Sequence, residues 1–313
     1  MEVVGGHRIY SSLRALFFRA KQSLFFTAAF FLCFSPVHAN DDTHPPSIED
    51  LNRAIAINPK SADAYYDRAV LWEKQGKMAE AISDFTKTIK INPQDAEAYY
   101  SRANAYANQN NFTQAIADYN KVIELNPQDA SAYYNRGLSY SNQGNLSQAI
   151  SDFSQAIKIN PEYAESYHNR GLSWYKANNL PRALEDLSMS IKLDPALAES
   201  YYNRGICYEA QGKFIDAIND YSKAIQLNPR YAQAYTNRGE IYVKQDDLVQ
   251  ARLDFTTAIE INPKIAQAYN NRAIVYYQLK QYIKAWEDLQ KAAALGYRVD
   301  PGFIAMVKKA LDR

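Results

Sequence analysis

The sequence predicts an all-α chain, a solenoid of antiparallel helix pairs stacked side by side. Three observations predict it. Prolines fall at Pro59, Pro93, Pro127, Pro161, Pro195, Pro229 and Pro263, a 34-residue period without insertion. Inside a unit the apolar spacing is helical: Tyr133, Gly137 and Tyr140, then Leu146, Ala149, Ile150, Phe153, Ala156 and Ile157 at threes and fours. A hydrophobic content of 47% over 313 residues supports a packed core. Charge narrows the class further: 35 basic against 34 acidic residues leave +1, unlike a strongly basic nucleic-acid binder or an acidic disordered chain. Two cysteines exclude a disulfide-rich scaffold and a four-thiolate zinc site. Tyrosine outnumbers phenylalanine, 25 to 13, which suits half-buried surfaces that meet something else.

Taken in chain order, residues 1–39 read as an export signal. Arg8, Arg14, Arg19 and Lys21 precede an apolar run from Leu24 to Phe34, and a small-residue ending places cleavage after Ala39. That run reaches only ~17 Å as a helix, short of a ~30 Å hydrocarbon core. An uncleaved membrane anchor is the competing reading. Bulky Leu32 before Cys33 argues against lipidation. Cleavage leaves Cys207 as the single thiol, so no intramolecular disulfide is available. Residues 40–46 form a short linker.

Residues 47–61 read as a lone second helix, a half repeat, with a capping box from Ser47 and Asp50. Seven full repeats follow over 62–297. Their first helices carry Tyr65, Tyr99, Tyr133, Tyr167, Tyr201, Tyr235 and Tyr269, with small residues four positions later from Ala69 through Gly137 to Ala273. Their second helices carry an alanine column from Ala81 to Ala285 and a bulky column from Phe85 to Leu289. Gly76, Asn110, Gly144, Asn178, Gly212 and Asp246 tolerate the left-handed turn that ends a first helix, and Lys280 breaks that rule. Residues 298–313 form a C-terminal capping helix with Phe303, Ile304, Val307 and Leu311 on one face.

This pattern resembles the tetratricopeptide repeat family: an aromatic–small–aromatic first helix, an Ala-x-x-x-aromatic second helix and a closing proline. The resemblance implies a right-handed superhelical α-solenoid and a non-catalytic scaffold that binds peptide or protein segments in a concave groove.

One charge pair recurs in every repeat. Arg68, Arg102, Arg136, Arg170, Arg204, Arg238 and Arg272 lie in first helices; Asp84, Asp118, Asp152, Asp186, Asp220, Asp254 and Asp288 lie in second helices. A ligand stripe of arginines needs no aspartate at the same phase, so a structural Arg–Asp brace is the expectation.

Beside the arginines stand Asn135, Asn169, Asn203, Asn237 and Asn271, resembling the asparagine ladder of some tetratricopeptide superhelices. A side-chain amide can donate to a carbonyl and accept from an N–H, which suits a peptide backbone. Stacked helices ~8–10 Å apart match about three residues of extended ligand per rung. The competing role is hydrogen bonding within or between helices. Asp67 and Ser101 break the ladder. Tyr66, Tyr100, Tyr134, His168 and Tyr202, with Thr236 and Asn270, resemble the family's groove-facing row, where aromatic faces pack on ligand side chains. The competing role for the tyrosines is to shield the helix interface. No lysine occupies the row, against a carboxylate-clamping specialisation, and Asp63, Glu97, Glu165 and Glu199 lean weakly toward basic peptides.

No phosphate loop, paired acid–base carboxylates or metal-ligand spacing is present in the sequence, so catalysis, cofactor and metal are not expected. Cys207 between Ile206 and Tyr208 reads as a buried structural thiol. The expected function is an exported, periplasmic or secreted adaptor for other proteins or extended segments in envelope assembly or quality control. Nucleic acid is not an expected partner. The rival expectation is a self-associating structural protein, a homodimer or filament formed through solenoid ends.

Overall fold

The computed structural model describes residues 45–312; the expected export signal, its cleavage site and linker residues 40–44 lie outside the described residues. The described residues hold sixteen α-helices and no strand. They divide into two compact units after Pro161. The first contains α1 (Ile48–Ile57), α2 (Ala62–Lys74), α3 (Met78–Ile91), α4 (Ala96–Asn108), α5 (Phe112–Leu125), α6 (Ala130–Asn142) and α7 (Leu146–Ile159). The second contains α8 (Ala164–Lys176), α9 (Leu180–Leu193), α10 (Ala198–Ala210), α11 (Phe214–Leu227), α12 (Ala232–Lys244), α13 (Leu248–Ile261), α14 (Ala266–Gln278), α15 (Tyr282–Ala294) and α16 (Pro301–Leu311). Within each unit, every first helix packs antiparallel on the second helix that follows it, and that helix packs on the next first helix.

Local chemistry starts and stops each helix. Ser47 Oγ accepts from the Asp50 N–H at 3.2 Å while Asp50 Oδ2 accepts from the Ser47 N–H at 3.0 Å, closing a reciprocal cap on α1. First helices end in Schellman turns: the Gly76 N–H donates to Glu73 O and the Lys77 N–H to Trp72 O, both at 2.9 Å, with Gly76 at φ 74°. Lys280 makes the same turn at φ 59° despite its side chain, its own N–H reaching Tyr277 O at 2.9 Å. The turn is imposed by the repeat and not by the residue.

Second helices before the last end at the Asn-Pro or Asp-Pro step, and α15 ends instead at Leu295 before Gly296. Proline disfavours helical geometry in the residue before it, and Asn92, at φ −124° and ψ 89°, leaves the helix accordingly. Its side chain then folds the chain into the next helix: Asn92 Oδ1 accepts from the Gln94 N–H at 3.2 Å, and Asn58, Asn126, Asp194, Asn228 and Asn262 do the same two residues on. This explains why asparagine accompanies the periodic proline.

The core lies between the paired helices. Phe85, Tyr119 and Phe153 in the first unit, and Leu187, Tyr221, Phe255 and Leu289 in the second, are buried against the small first-helix column. A Cβ built on Gly137 meets Phe153 Cε1 at 2.8 Å, so at this spacing the glycine is what admits the ring.

Candidate peptide-binding surface

The site rows rise from the first helices. In the first unit the rings of Tyr66, Tyr100 and Tyr134 lie against Phe85, Tyr119 and Phe153 with centroids 5.5, 5.9 and 5.8 Å apart. Tyr66 is only 6% exposed; its hydroxyl donates to Glu97 Oε1 at 2.9 Å and shares a 3.2 Å hydrogen bond with Ser101 Oγ. Its ring therefore offers little surface to a ligand. Tyr100 and Tyr134 are half-buried. Burial, with Asp129 nearby, pushes the Tyr100 hydroxyl up to about 12, so it stays a neutral partner.

In the second unit Tyr202 packs on Tyr221 at 5.8 Å and is also covered by Tyr231 at 4.7 Å. His168 takes the tyrosine place one repeat earlier. Its Nδ1 lies 2.8 Å from Ser200 Oγ, and burial lowers its pKa, with Glu199 opposing, so the ring is neutral. Thr236 and Asn270 are buried, and the Thr236 hydroxyl donates to Ala232 O at 3.0 Å. The row thus loses its projecting side chains after Tyr202.

The asparagine amides make hydrogen bonds within the protein. Asn135 Nδ2 donates to Tyr100 Oη at 2.6 Å, and Asn237 Nδ2 to Tyr202 Oη at 3.3 Å, each crossing to the preceding repeat. Asn203 Nδ2 lies 3.5 Å from His168 Nε2. Asn271 Nδ2 donates instead to Glu240 Oε1 at 2.7 Å, and its Oδ1 accepts from Asn270 Nδ2 at 3.4 Å. Asn169 Nδ2 donates to Glu165 O at 2.9 Å. In Asn135, Asn169, Asn237 and Asn271 at least one amide N–H is held within the protein, which is the competing role the sequence offered for this row.

Each arginine is committed to the scaffold. Nε and Nη2 donate to the two carboxylate oxygens of the partner aspartate, at 2.7 and 2.9 Å for Arg68–Asp84 and 2.8 and 2.8 Å for Arg238–Asp254, and five further pairs repeat the geometry. Side-chain exposure is 15–21% for the arginines and 2–9% for the aspartates. Nη1 turns to the preceding second helix: Arg68 to Asn52, Arg102 to Thr86, Arg136 to Asn120, Arg204 to Ser188, Arg238 to Ser222 and Arg272 to Thr256. One guanidinium therefore ties three helices, while the ring three residues before it, such as Tyr133 at 5.5 Å from Arg136, lies beneath its face. The small polar column was readable two residues after each aspartate, but its role needed the three-helix geometry.

Tyr231 and Glu240 escaped the sequence reading. Tyr231 occupies a place whose residue varies from repeat to repeat, with Ser61, Asp95, Asp129, Tyr163, Leu197 and Ile265 at the same phase, so no uniform column marks it. Glu240 is half-buried, accepts from Gln267 Nε2 at 2.6 Å and Asn271 Nδ2 at 2.7 Å, and has its pKa raised by burial. Cys207 is buried, and burial alone pushes its thiol up to about 11, which removes it as a nucleophile at neutral pH. Among the described residues no group of three His, Cys, Asp or Glu could hold a metal ion, and no helix is long and apolar enough to cross a membrane.

Paired helices repeated at a fixed period, with side chains locked into a surface, define the class of α-helical repeat scaffolds for protein interaction. Models described as Tetratricopeptide repeat match residues 36–103, 130–163, 198–231, 232–265 and 255–287, and one described as TPR repeat matches 103–144. The chain belongs to the tetratricopeptide repeat family. No curated protein matches it. Among solved structures, a tetratricopeptide repeat protein from Parabacteroides merdae aligns over 81% of this chain and 100% of its own, at 18% identity and TM-score 0.61. The APC/C hetero-tetramer Cut9–Hcn1 aligns over 84% of this chain at 20% identity and TM-score 0.61; this chain spans 52% of that one. These two likenesses bear on the fold alone. YrrB, described as a TPR protein with an unusual peptide-binding site, aligns over 59% of this chain and 95% of its own, at 27% identity and TM-score 0.49.

Proposed function

We infer that this chain is an exported, non-catalytic adaptor of the cell envelope that holds extended peptide segments of other proteins along its first-helix surfaces. The observation that carries the reading is the pinning of the asparagine amides. Asn203 and Asn237 stand one repeat apart in the second unit with Nδ2 held by His168 and Tyr202, which orients each Oδ1 to accept a ligand N–H. Asn135 is fixed by Tyr100 in the same way in the first unit. An acceptor already immobilised loses less entropy on binding, so more of each ~0.5–1.5 kcal/mol hydrogen bond survives as affinity. The export assignment rests on residues 1–39, and the half-buried Tyr202 and Tyr231 supply aromatic faces for ligand side chains. Affinity around the micromolar range is expected from a handful of neutral hydrogen bonds.

The test is affinity capture from envelope extract with the wild type and with a variant carrying Asn169→Ala, Asn203→Ala and Asn237→Ala. The expected result is capture reduced at least about tenfold at similar melting temperature, equivalent to ~1.4 kcal/mol. Equal yields of the same proteins from both baits would sink the asparagine reading.

A further inference from the structure

A second surface lies on the second helices of the last three repeats. Ile215, Val249 and Ile283 occupy the second position of α11, α13 and α15, 34 residues apart, and are 73%, 62% and 68% exposed. Leu253, one turn on from Val249, is 58% exposed. The same place in earlier repeats holds Ala79, Thr113, Ser147 and Pro181, so the aliphatic stripe is confined to this end of the second unit. Large aliphatic side chains left in water at one phase of three consecutive repeats form a patch and not a scatter. The stripe runs into a groove between α15 and α16, lined by Lys280, Tyr282, Ile283, Lys284, Ala310 and Leu311.

Charge selects the occupant. Lys280 and Lys284 flank Ile283 in the groove, are exposed, and form no ion pair among the described residues; Lys284 Nζ lies over the Tyr276 ring at 5.6 Å. The stripe's other end carries Asp216, Asp246 and Asp247 beside Ile215 and Val249, with Lys213 and Arg252 as bases. The groove end, with Lys280 and Lys284 against the exposed Glu287 one turn on from Ile283, is the more cationic of the two. We propose that this stripe binds an amphipathic helix of a partner protein, its apolar face on Ile215, Val249, Leu253 and Ile283 and its acidic end over Lys280 and Lys284. Such a helix rises about 1.5 Å per residue, so apolar residues seven apart lie about 10.5 Å apart along one face and can follow the stripe from one second helix toward the next. This surface is separate from the first-helix rows, so both can be occupied at once.

The experiment titrates a fluorescent peptide of about 18 residues, with leucines at i, i+3 and i+7 spacing and glutamates at one end, against the full chain. The expected result is saturable binding that weakens at least about tenfold in Ile283→Asp, whose site is exposed so that folding is preserved. The double variant Lys280→Glu, Lys284→Glu should lose the acidic peptide and gain a lysine-ended version of it. Equal binding of a scrambled peptide, or unchanged affinity in Ile283→Asp, overturns the proposal. So does Ile283-dependent sedimentation with phosphatidylcholine–phosphatidylglycerol vesicles without peptide binding, which assigns the stripe to a lipid surface. Concentration-dependent dimerisation of the chain alone, abolished by Ile283→Asp, likewise overturns it in favour of a second copy.

Discussion

Asp254 retains almost no contact with water, and the Arg238 guanidinium stands in its place. Burial raises the Asp254 pKa, opposed by the hydrogen bonds and charge of Arg238. Deleting the arginine leaves a buried carboxylate whose only relief is a proton, so Arg238→Ala should cost ~3–5 kcal/mol, far more than the pair contributes relative to an apolar substitute. The sign with pH follows. A folded pKa above the unfolded value gives stability that is complete below the unfolded pKa and lost as pH rises through the folded one. In Arg238→Ala the folded pKa climbs further, so its deficit against wild type should shrink as pH falls from neutral toward that of an ordinary carboxyl. Thermal melts of both proteins across that range measure it; a deficit independent of pH would show that Asp254 is not the group left stranded.

Among elements, the turn between α14 and α15 is the one whose residue disagrees with its geometry. Lys280 sits at φ 59° where Gly76, Gly144 and Gly212 serve other repeats. An L-residue pays roughly 1–2 kcal/mol in this region, and glycine recovers it less the ~0.4–1 kcal/mol it adds to the freedom of the unfolded chain. Lys280→Gly should therefore stabilise by about 0.5–1 kcal/mol, seen as a small rise in melting temperature; a fall would mean the lysine side chain contributes more than its backbone strain costs. The same turn shows what a sequence discloses. Helix starts, stops and pairing were legible because each depends on residues within one turn, as in Ser47 with Asp50 or Asn92 before Pro93. The site rows were legible as columns. Their bonding was not, because Asn135 meets Tyr100 and Arg136 meets Asn120 across helices, at offsets set by stagger between neighbours and not by local spacing.

For the whole molecule, stability in a repeat array is a sum of repeat and nearest-neighbour terms, so damage at one end should stay there. The second unit's last core cluster joins Ala273, Ala285, Leu289 and Ala292 to Val299 and Val307, with Trp286, Tyr277, Phe303 and Ile304 packed around it. Helix α16 is the outer wall of that cluster: Val307 is fully buried, and Phe303 stands edge-on to Tyr277 at 5.6 Å. Removing residues 300–313 uncovers these side chains, at ~1.5–3 kcal/mol for each one that was fully buried. The loss falls on α14 and α15, whose neighbours on the other side remain. Hydrogen exchange on the truncated chain should then show protection reduced by at least about tenfold in α14 and α15, while α2 to α6 exchange as in the intact protein. A uniform loss of protection across all helices would mean that the array unfolds as one cooperative body and that the nearest-neighbour picture fails for this chain.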